Sequence, residues 1–387
     1  ASSLKIGTSV PKYLRYQAQA LSASGTPIPI CCMPLMNYTI SGIQQIVIGV
    51  PDADKAWAWY RKYFGTDVPI FKEEAEAALM LPYTGGKPRK RYAILALNLQ
   101  GGGGFEIWQY KSRVPQPPNF DLQLGDLGML VAKVKSSDVA KTYNFYQSEG
   151  VNLLSDIVQT PDGKPTFFLK DPYHNIFQIV PSDNWFQTPK RHLTGGAYGT
   201  IIGVASIDEA IPFYRDALGY DVVVYDETGQ FEDLAALPAG DLKFRRVLLR
   251  HAESRKGAFA PVLGDSEIEL VQALDRSPKK IFDDRLWGDL GFIHLCFDIR
   301  NMEALGQKVH ALGHPFTVNS GDFDMGEAAG HFTYVEDTDG TLIEFVEAYK
   351  VPVAAKWGIY LNLRNRDPEK PLPRFMLKAL GFNREKG

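Results

Sequence analysis

Identities that recur at a fixed offset constrain this chain more than any single motif. The tetrapeptide Gly-Asp-Leu-Gly stands at 125–128 and again at 288–291, an offset of 163 residues. The same offset relates Glu106 to Glu269, Gln109 to Gln272, Arg113 to Arg276, Pro115 to Pro278 and Gly150 to Gly313. Nearer the start of each half, Val50, Trp59-Tyr60 and Gly65 correspond to Val204, Phe213-Tyr214 and Gly219 at an offset of 154. Repetition at a fixed spacing marks a duplicated structural unit. In the first copy the run Ile43 to Val50 reads as a strand, and Pro51-Asp52 stops it. Ala56, Trp59, Tyr60 and Tyr63 then mark one helix face that ends at Gly65. Asp67 to Phe71, Arg91 to Leu99 and Phe105 to Tyr110 follow as three β runs, which makes the unit βαβββ.

Four copies, A and B in one half and A′ and B′ in the other, predict an α+β fold of four βαβββ modules. A single module leaves one sheet face bare, so modules are expected to close in pairs into two open barrels, each with a cavity. The chain then divides into an irregular N-terminal extension over 1–41, a first two-module unit over 42–182, a second over 183–348 and a C-terminal extension over 349–387.

Two strands of the last copy carry a polar group in apolar surroundings. The run Gly291 to Ile299 has His294 in its middle, and Thr341 to Glu347 has Glu344 in its middle. A buried carboxylate without a partner costs several kcal/mol. An imidazole and a carboxylate from neighbouring strands can share a divalent cation, which is such a partner. Cys296 lies two residues past His294 and so on the same strand face, as a small apolar side chain lining the cavity. The run Gly101 to Gly104 is not followed by a helix N-terminus, so it reads as a flexible hairpin rather than a phosphate cradle.

Composition narrows the partners. Lys and Arg number 42 against 45 Asp and Glu, a balance that argues against nucleic acid or a charged membrane. No apolar stretch approaches the roughly 20 residues of a membrane span, and no basic segment followed by an apolar core suggests a signal peptide. The three cysteines, Cys31, Cys32 and Cys296, make no disulfide framework and suit a reducing, cytoplasmic setting. A small-molecule substrate is the expected partner, with the chain acting as a monomer or homodimer.

Four βαβββ modules with a His on a first strand and a Glu on a last strand resemble the vicinal oxygen chelate superfamily, which includes glyoxalases, bleomycin resistance proteins and extradiol dioxygenases. The resemblance spans roughly residues 42–348. It implies one metal ligand on the first strand of a module and one on the fourth. Carried over, module A offers Gln45 and Glu106, B offers Val131 and Gln178, A′ offers Gly199 and Glu269, and B′ offers His294 and Glu344. Valine and glycine side chains bind no metal, so at most one complete site is implied, holding one divalent ion per chain: Zn, Ni, Fe(II), Mn or Co.

Two pairings are open. If A closes with B′, the ligand set is Gln45, Glu106, His294 and Glu344, similar to that of glyoxalase I, and Glu269 faces an empty cavity beside Val131. If A′ closes with B′, the set is Glu269, His294 and Glu344, which lacks the second histidine of a dioxygenase triad. All usable residue types fall in A and B′, which favours the first pairing. It implies a metal-dependent lyase or isomerase that works through an enediolate, with Glu344 or Glu106 as base. Tyr334 and His331 are further cavity candidates, and Trp108 shares a face with Glu106 as a possible wall of the pocket.

An Fe(II) extradiol dioxygenase is the second reading. Tyr334, Asp337, Gly340 and Glu344 keep its signature spacing, but Thr338 replaces its proline and no upstream histidine matches. The third reading is a non-catalytic binding or resistance protein. Gly49 stands where glyoxalase I carries an arginine for glutathione, which points to another substrate.

Overall fold

The computed structural model describes residues 37–324, 329–354 and 358–385, so most of the N-terminal extension expected over 1–41 lies outside the described residues. Module A comprises β1 (Thr39–Gly49), α1 (Ala53–Phe64), β2 (Val68–Glu76), β3 (Lys90–Leu97) and β4 (Gly104–Tyr110). Module B comprises β5 (Gly128–Ser136), α2 (Val139–Ser148), the short β6 (Asn152–Leu153) and β7 (Val158–Gln159), β8 (Pro165–Lys170) and β9 (Ile176–Pro181). Module A′ comprises β10 (Thr194–Gly203), α3 (Ile207–Asp216), β11 (Val222–Gly229), β12 (Phe244–Arg250), a one-turn α4 (Ala260–Leu263) and β13 (Glu267–Ala273). Module B′ comprises β14 (Gly291–Arg300), α5 (Met302–Ala311), the short β15 (Val318–Asn319) and β16 (Phe323–Asp324), β17 (Ala329–Glu336) and β18 (Leu342–Ala354). Two elements follow, β19 (Ile359–Asn362) and α6 (Arg374–Ala379).

Each crossover helix starts where the sequence supplies a cap. Asp52, Asp138, Ser206 and Asn301 each accept a hydrogen bond from the backbone N–H three residues on. Such a cap is worth about 1 kcal/mol.

The strands pair across the two halves. One sheet runs β15-β17-β18-β14-β1-β4-β3-β2, which joins B′ to A, and the other runs β11-β12-β13-β10-β5-β9-β8-β6, which joins A′ to B. The seams are antiparallel pairings of first strands, β1 with β14 and β10 with β5. Repeated residues stitch both seams in the same way. Arg113 of A reaches Asp289 of B′ at 2.6 Å, and Arg276 of A′ reaches Asp126 of B at 2.7 Å. Gln109 and Gln272 likewise share one task, accepting from the first N–H of α1 and of α3 at 3.1 and 3.2 Å.

Within each half the modules meet through their helix sides. Tyr60 donates to Asp171 at 2.5 Å, and Tyr214 donates to Asp337 at 2.8 Å. Trp57, Phe64, Phe105, Phe177, Phe213 and Phe297 belong to one continuous core on that side. The barrel interiors form separate clusters, one around Val131, Ile201 and Phe244, the other around Val47, Trp108 and Trp287.

The Gly101–Gly104 run does join β3 to β4, but it is buried against the second barrel rather than exposed as a flexible hairpin. A Cβ on Gly102 would stand 1.5 Å from the carbonyl oxygen of Val262, and one on Gly103 would stand 2.6 Å from that of Ala197. Only glycine fits such an approach. The C-terminal segment folds back on its own chain: Leu363, Leu372, Leu377 and Leu380 pack with Leu99, Phe186 and Val262. Arg384 pins its end to Asp67 at 3.0 Å.

Candidate metal centre

Strand register decides which polar side chains meet inside the barrel made by A and B′. Val47 of β1 lies opposite both Glu106 of β4 and His294 of β14. One step along, Gln45 lies opposite Cys296, which in turn lies beside Glu344 of β18 and, through it, Tyr334 of β17. Alternation sends their neighbours Ile46, Ile107, Leu295, Ile343 and Val335 into the helix-side core, so Gln45, Glu106, His294, Cys296, Glu344 and Tyr334 face inward. Gln45, Glu106, His294 and Glu344 thus share one barrel, with Cys296 and Val47 as its floor.

His294 is the hub. Its Nε2 lies 3.1 Å from Glu344 Oε2 and 3.4 Å from the Tyr334 hydroxyl, and its Nδ1 accepts from the indole N–H of Trp287 at 3.3 Å. On the other side of the floor the Gln45 amide donates to Glu106 Oε2 at 3.4 Å. Burial, and after it the charge of Glu344, push the Glu106 carboxyl up to about 7. Burial also works against Glu344, but His294 outweighs it and holds that carboxyl below its ordinary range. Burial and the same two carboxylates keep the Tyr334 hydroxyl far above its usual value, so it stays protonated.

These residues suit a divalent cation. Gln45 Oε1 is buried and has no hydrogen-bond partner among the described residues. Two carboxylates stand near enough for one to raise the other. Ligands at right angles on an ion about 2.0–2.2 Å away stand roughly 3 Å apart, which is the His294–Glu344 spacing. Among the described residues no three His, Cys, Asp or Glu side chains already surround one point. A shared ion therefore requires the His294–Glu344 and Gln45–Glu106 pairs to draw together.

Other expected residues fall elsewhere. His331 is on β17 but three residues from Tyr334, so it faces away from His294 and bonds Asn319 at 2.7 Å. Asp337, part of the dioxygenase-like spacing, caps the turn before β18 by accepting from the N–H groups of Asp339 and Thr341. Asp171 makes the same turn in module B with Tyr173 and Asn175. That spacing therefore serves a hairpin in both halves. Trp108 is fully buried in the barrel, edge-on to Tyr110 and Trp287.

Two contributors were not legible. Trp287 comes from the loop before β14, and Gln44 reaches Cys296 at 3.7 Å because a bulge lies between Ile43 and Gln45. A bulge leaves no mark in a hydrophobic pattern.

The second barrel is not the empty cavity expected beside Val131. Glu269, the counterpart of Glu106, accepts from Arg246 Nε at 2.8 Å, from Lys133 Nζ at 2.7 Å and from the Tyr225 hydroxyl at 3.0 Å. Lys133 and Arg250 both hold Glu267, and Arg246 also holds Asp233. Protein cations occupy the interior, and the space left at its mouth, between Lys133, Tyr225 and Arg250, has a volume of about 10 Å³. That is room for about one water. Burial pushes Glu269 up, yet Arg246 and then Lys133 outweigh it and bring the carboxyl down to about 2.

The sign of this shift gives a prediction. A depressed carboxyl adds stability that is present above its ordinary value of 4.5 and lost as pH falls toward about 2. Melting temperatures between pH 5 and 2 are expected to fall steeply in the parent chain. Glu269→Gln is expected to be less stable at pH 7 and flatter across that range.

A model of the Glyoxalase/Bleomycin resistance protein/Dioxygenase superfamily matches residues 42–179 and 192–345. Among solved structures, glyoxalase I from Zea mays superposes with a TM-score of 0.50 at 13% identity, covering 80% of this chain and 92% of its own. A putative dioxygenase from Bacillus subtilis does so with a TM-score of 0.50 at 13% identity, covering 80% of this chain and 86% of its own. At such identities the likeness concerns the fold. No curated protein matches the chain. Among the described residues no helix is long and apolar enough to cross a membrane.

Proposed function

Because the chain belongs to the Glyoxalase/Bleomycin resistance protein/Dioxygenase superfamily, we propose that it is a divalent-metal-dependent lyase or isomerase acting on a small substrate with vicinal oxygens. Gln45, Glu106, His294 and Glu344 would hold one ion per chain, of the Zn, Ni, Fe(II), Mn or Co class. The observation that carries this reading is the contrast between two repeated glutamates. Glu269 is neutralised by Arg246 and Lys133. Among the described residues Glu106 bonds only the neutral Gln45 amide, and it shares its barrel with a second carboxylate.

A bound divalent cation supplies Lewis acidity, polarising a carbonyl oxygen of the substrate. The side chains do the rest. Glu106 takes the proton α to that carbonyl, the resulting enediolate passes its hydroxyl proton to the former carbonyl oxygen, and Glu106 returns the first proton to the adjacent carbon. Tyr334 keeps its proton and can donate to a substrate oxygen. Trp108 and Tyr110 keep water from the bonds being made.

Proton exchange tests the reading. Metal-loaded protein, incubated in D₂O with a panel of α-hydroxycarbonyl compounds, is expected to place deuterium on the carbon next to the carbonyl, and Glu106→Gln to lose this. Oxygen uptake with ring cleavage of catechols, and no exchange, would replace this reading with the dioxygenase one.

A further inference from the structure

The surroundings of His294 fix where its ring proton sits. An indole N–H is a donor only, so the Nδ1 that accepts from Trp287 at 3.3 Å carries no proton. The proton of the neutral ring is therefore on Nε2, where it points at Glu344 Oε2, 3.1 Å away, with the Tyr334 oxygen at 3.4 Å. The planes of indole and imidazole lie at 13° to each other. In this state the lone pair of Nε2 is not available, and that of Nδ1 is covered. A metal ion on the Glu344 side of the ring needs the other tautomer, with Nδ1 protonated. That tautomer sets two donors, Nδ1–H and the indole N–H, against each other.

We infer that Trp287 is a positioning residue that locks His294 in the tautomer unable to take the ion, so that metal loading requires the indole to swing away. The inference rests on the reading of His294 as a ligand. The backbone around Trp287 is anchored, since its N–H donates to the Tyr83 carbonyl at 2.9 Å and its carbonyl accepts from the Tyr110 hydroxyl. Rotation of the Trp287 side chain is then what frees Nδ1.

Two measurements on the full chain test this. Long-range ¹⁵N–¹H spectra of the metal-free protein, with His294 assigned by its loss in His294→Ala, are expected to show a protonated Nε2 and a bare Nδ1. In Trp287→Phe the balance is expected to shift toward protonated Nδ1. Zinc affinity, read by competition with a chelator, is expected to rise about two- to tenfold in Trp287→Phe, the worth of one net hydrogen bond removed from the closed state. A purely packing role predicts the opposite sign. A protonated Nδ1 in the metal-free parent protein, or zinc bound by Trp287→Phe no more tightly than by the parent, overturns the lock and leaves the metal reading standing. Zinc bound by neither protein overturns the metal reading, and the ring spectra then decide the tautomer alone.

Discussion

Alanine at His294, or glutamine at Glu344, is expected to remove bound metal and turnover while the fold persists. The strands that carry them are held independently of the site, β14 by β1 on one side and by β18 on the other. Their inward faces lose one or two hydrogen bonds, each worth about 1 kcal/mol net. Loss of a residue that merely supports a ligand weakens metal binding about 10–100-fold, so loss of a ligand itself is expected to cost more. Metal content after dialysis, measured beside circular dichroism and a melting curve, separates the two effects. Variants that fold, keep their metal and turn over at the parent rate would place the centre elsewhere.

A larger effect on stability is expected in the other barrel. Arg246 is fully buried and bonds both Asp233 and Glu269. Methionine there fills similar space but takes the cation from Asp233 and leaves Glu269 with Lys133 alone. Removing one partner of a buried ion pair costs about 3–5 kcal/mol, and the urea midpoint is expected to fall accordingly. Replacing all three by apolar or neutral groups, as Arg246→Met with Asp233→Asn and Glu269→Gln, is expected to recover much of the loss, because desolvation of the charges disappears with them. Glu269→Gln alone is therefore not the silent change that an empty cavity would allow. Metal binding stays, and stability drops.

The crossing of modules could be anticipated because A and B′ are the modules in which both ligand positions hold a residue able to bind a metal, and β1 indeed pairs with β14. The repeats themselves were legible, since Arg113 and Arg276, or Gln109 and Gln272, perform one structural task each in two places. What fills the second barrel was not. Lys133, Arg246 and Glu267 lie on three different strands, and each is unremarkable in its own stretch of sequence. Glu267 shares a strand face with Glu269, but only the register brings Lys133 and Arg246 to it. His331 misled for the opposite reason: it is close to Tyr334 in sequence, but an odd separation along a strand sends it to the other face. Trp287 was hidden because a loop side chain carries no periodicity to say where it points.

Metal content per chain, determined for the parent protein and for Glu106→Gln and Glu269→Gln, tests the account most directly. One equivalent is expected in the parent, almost none in Glu106→Gln, and one in Glu269→Gln despite its lower stability. Two equivalents in the parent, or metal lost from Glu269→Gln and kept by Glu106→Gln, would contradict a single centre in the barrel that joins A to B′.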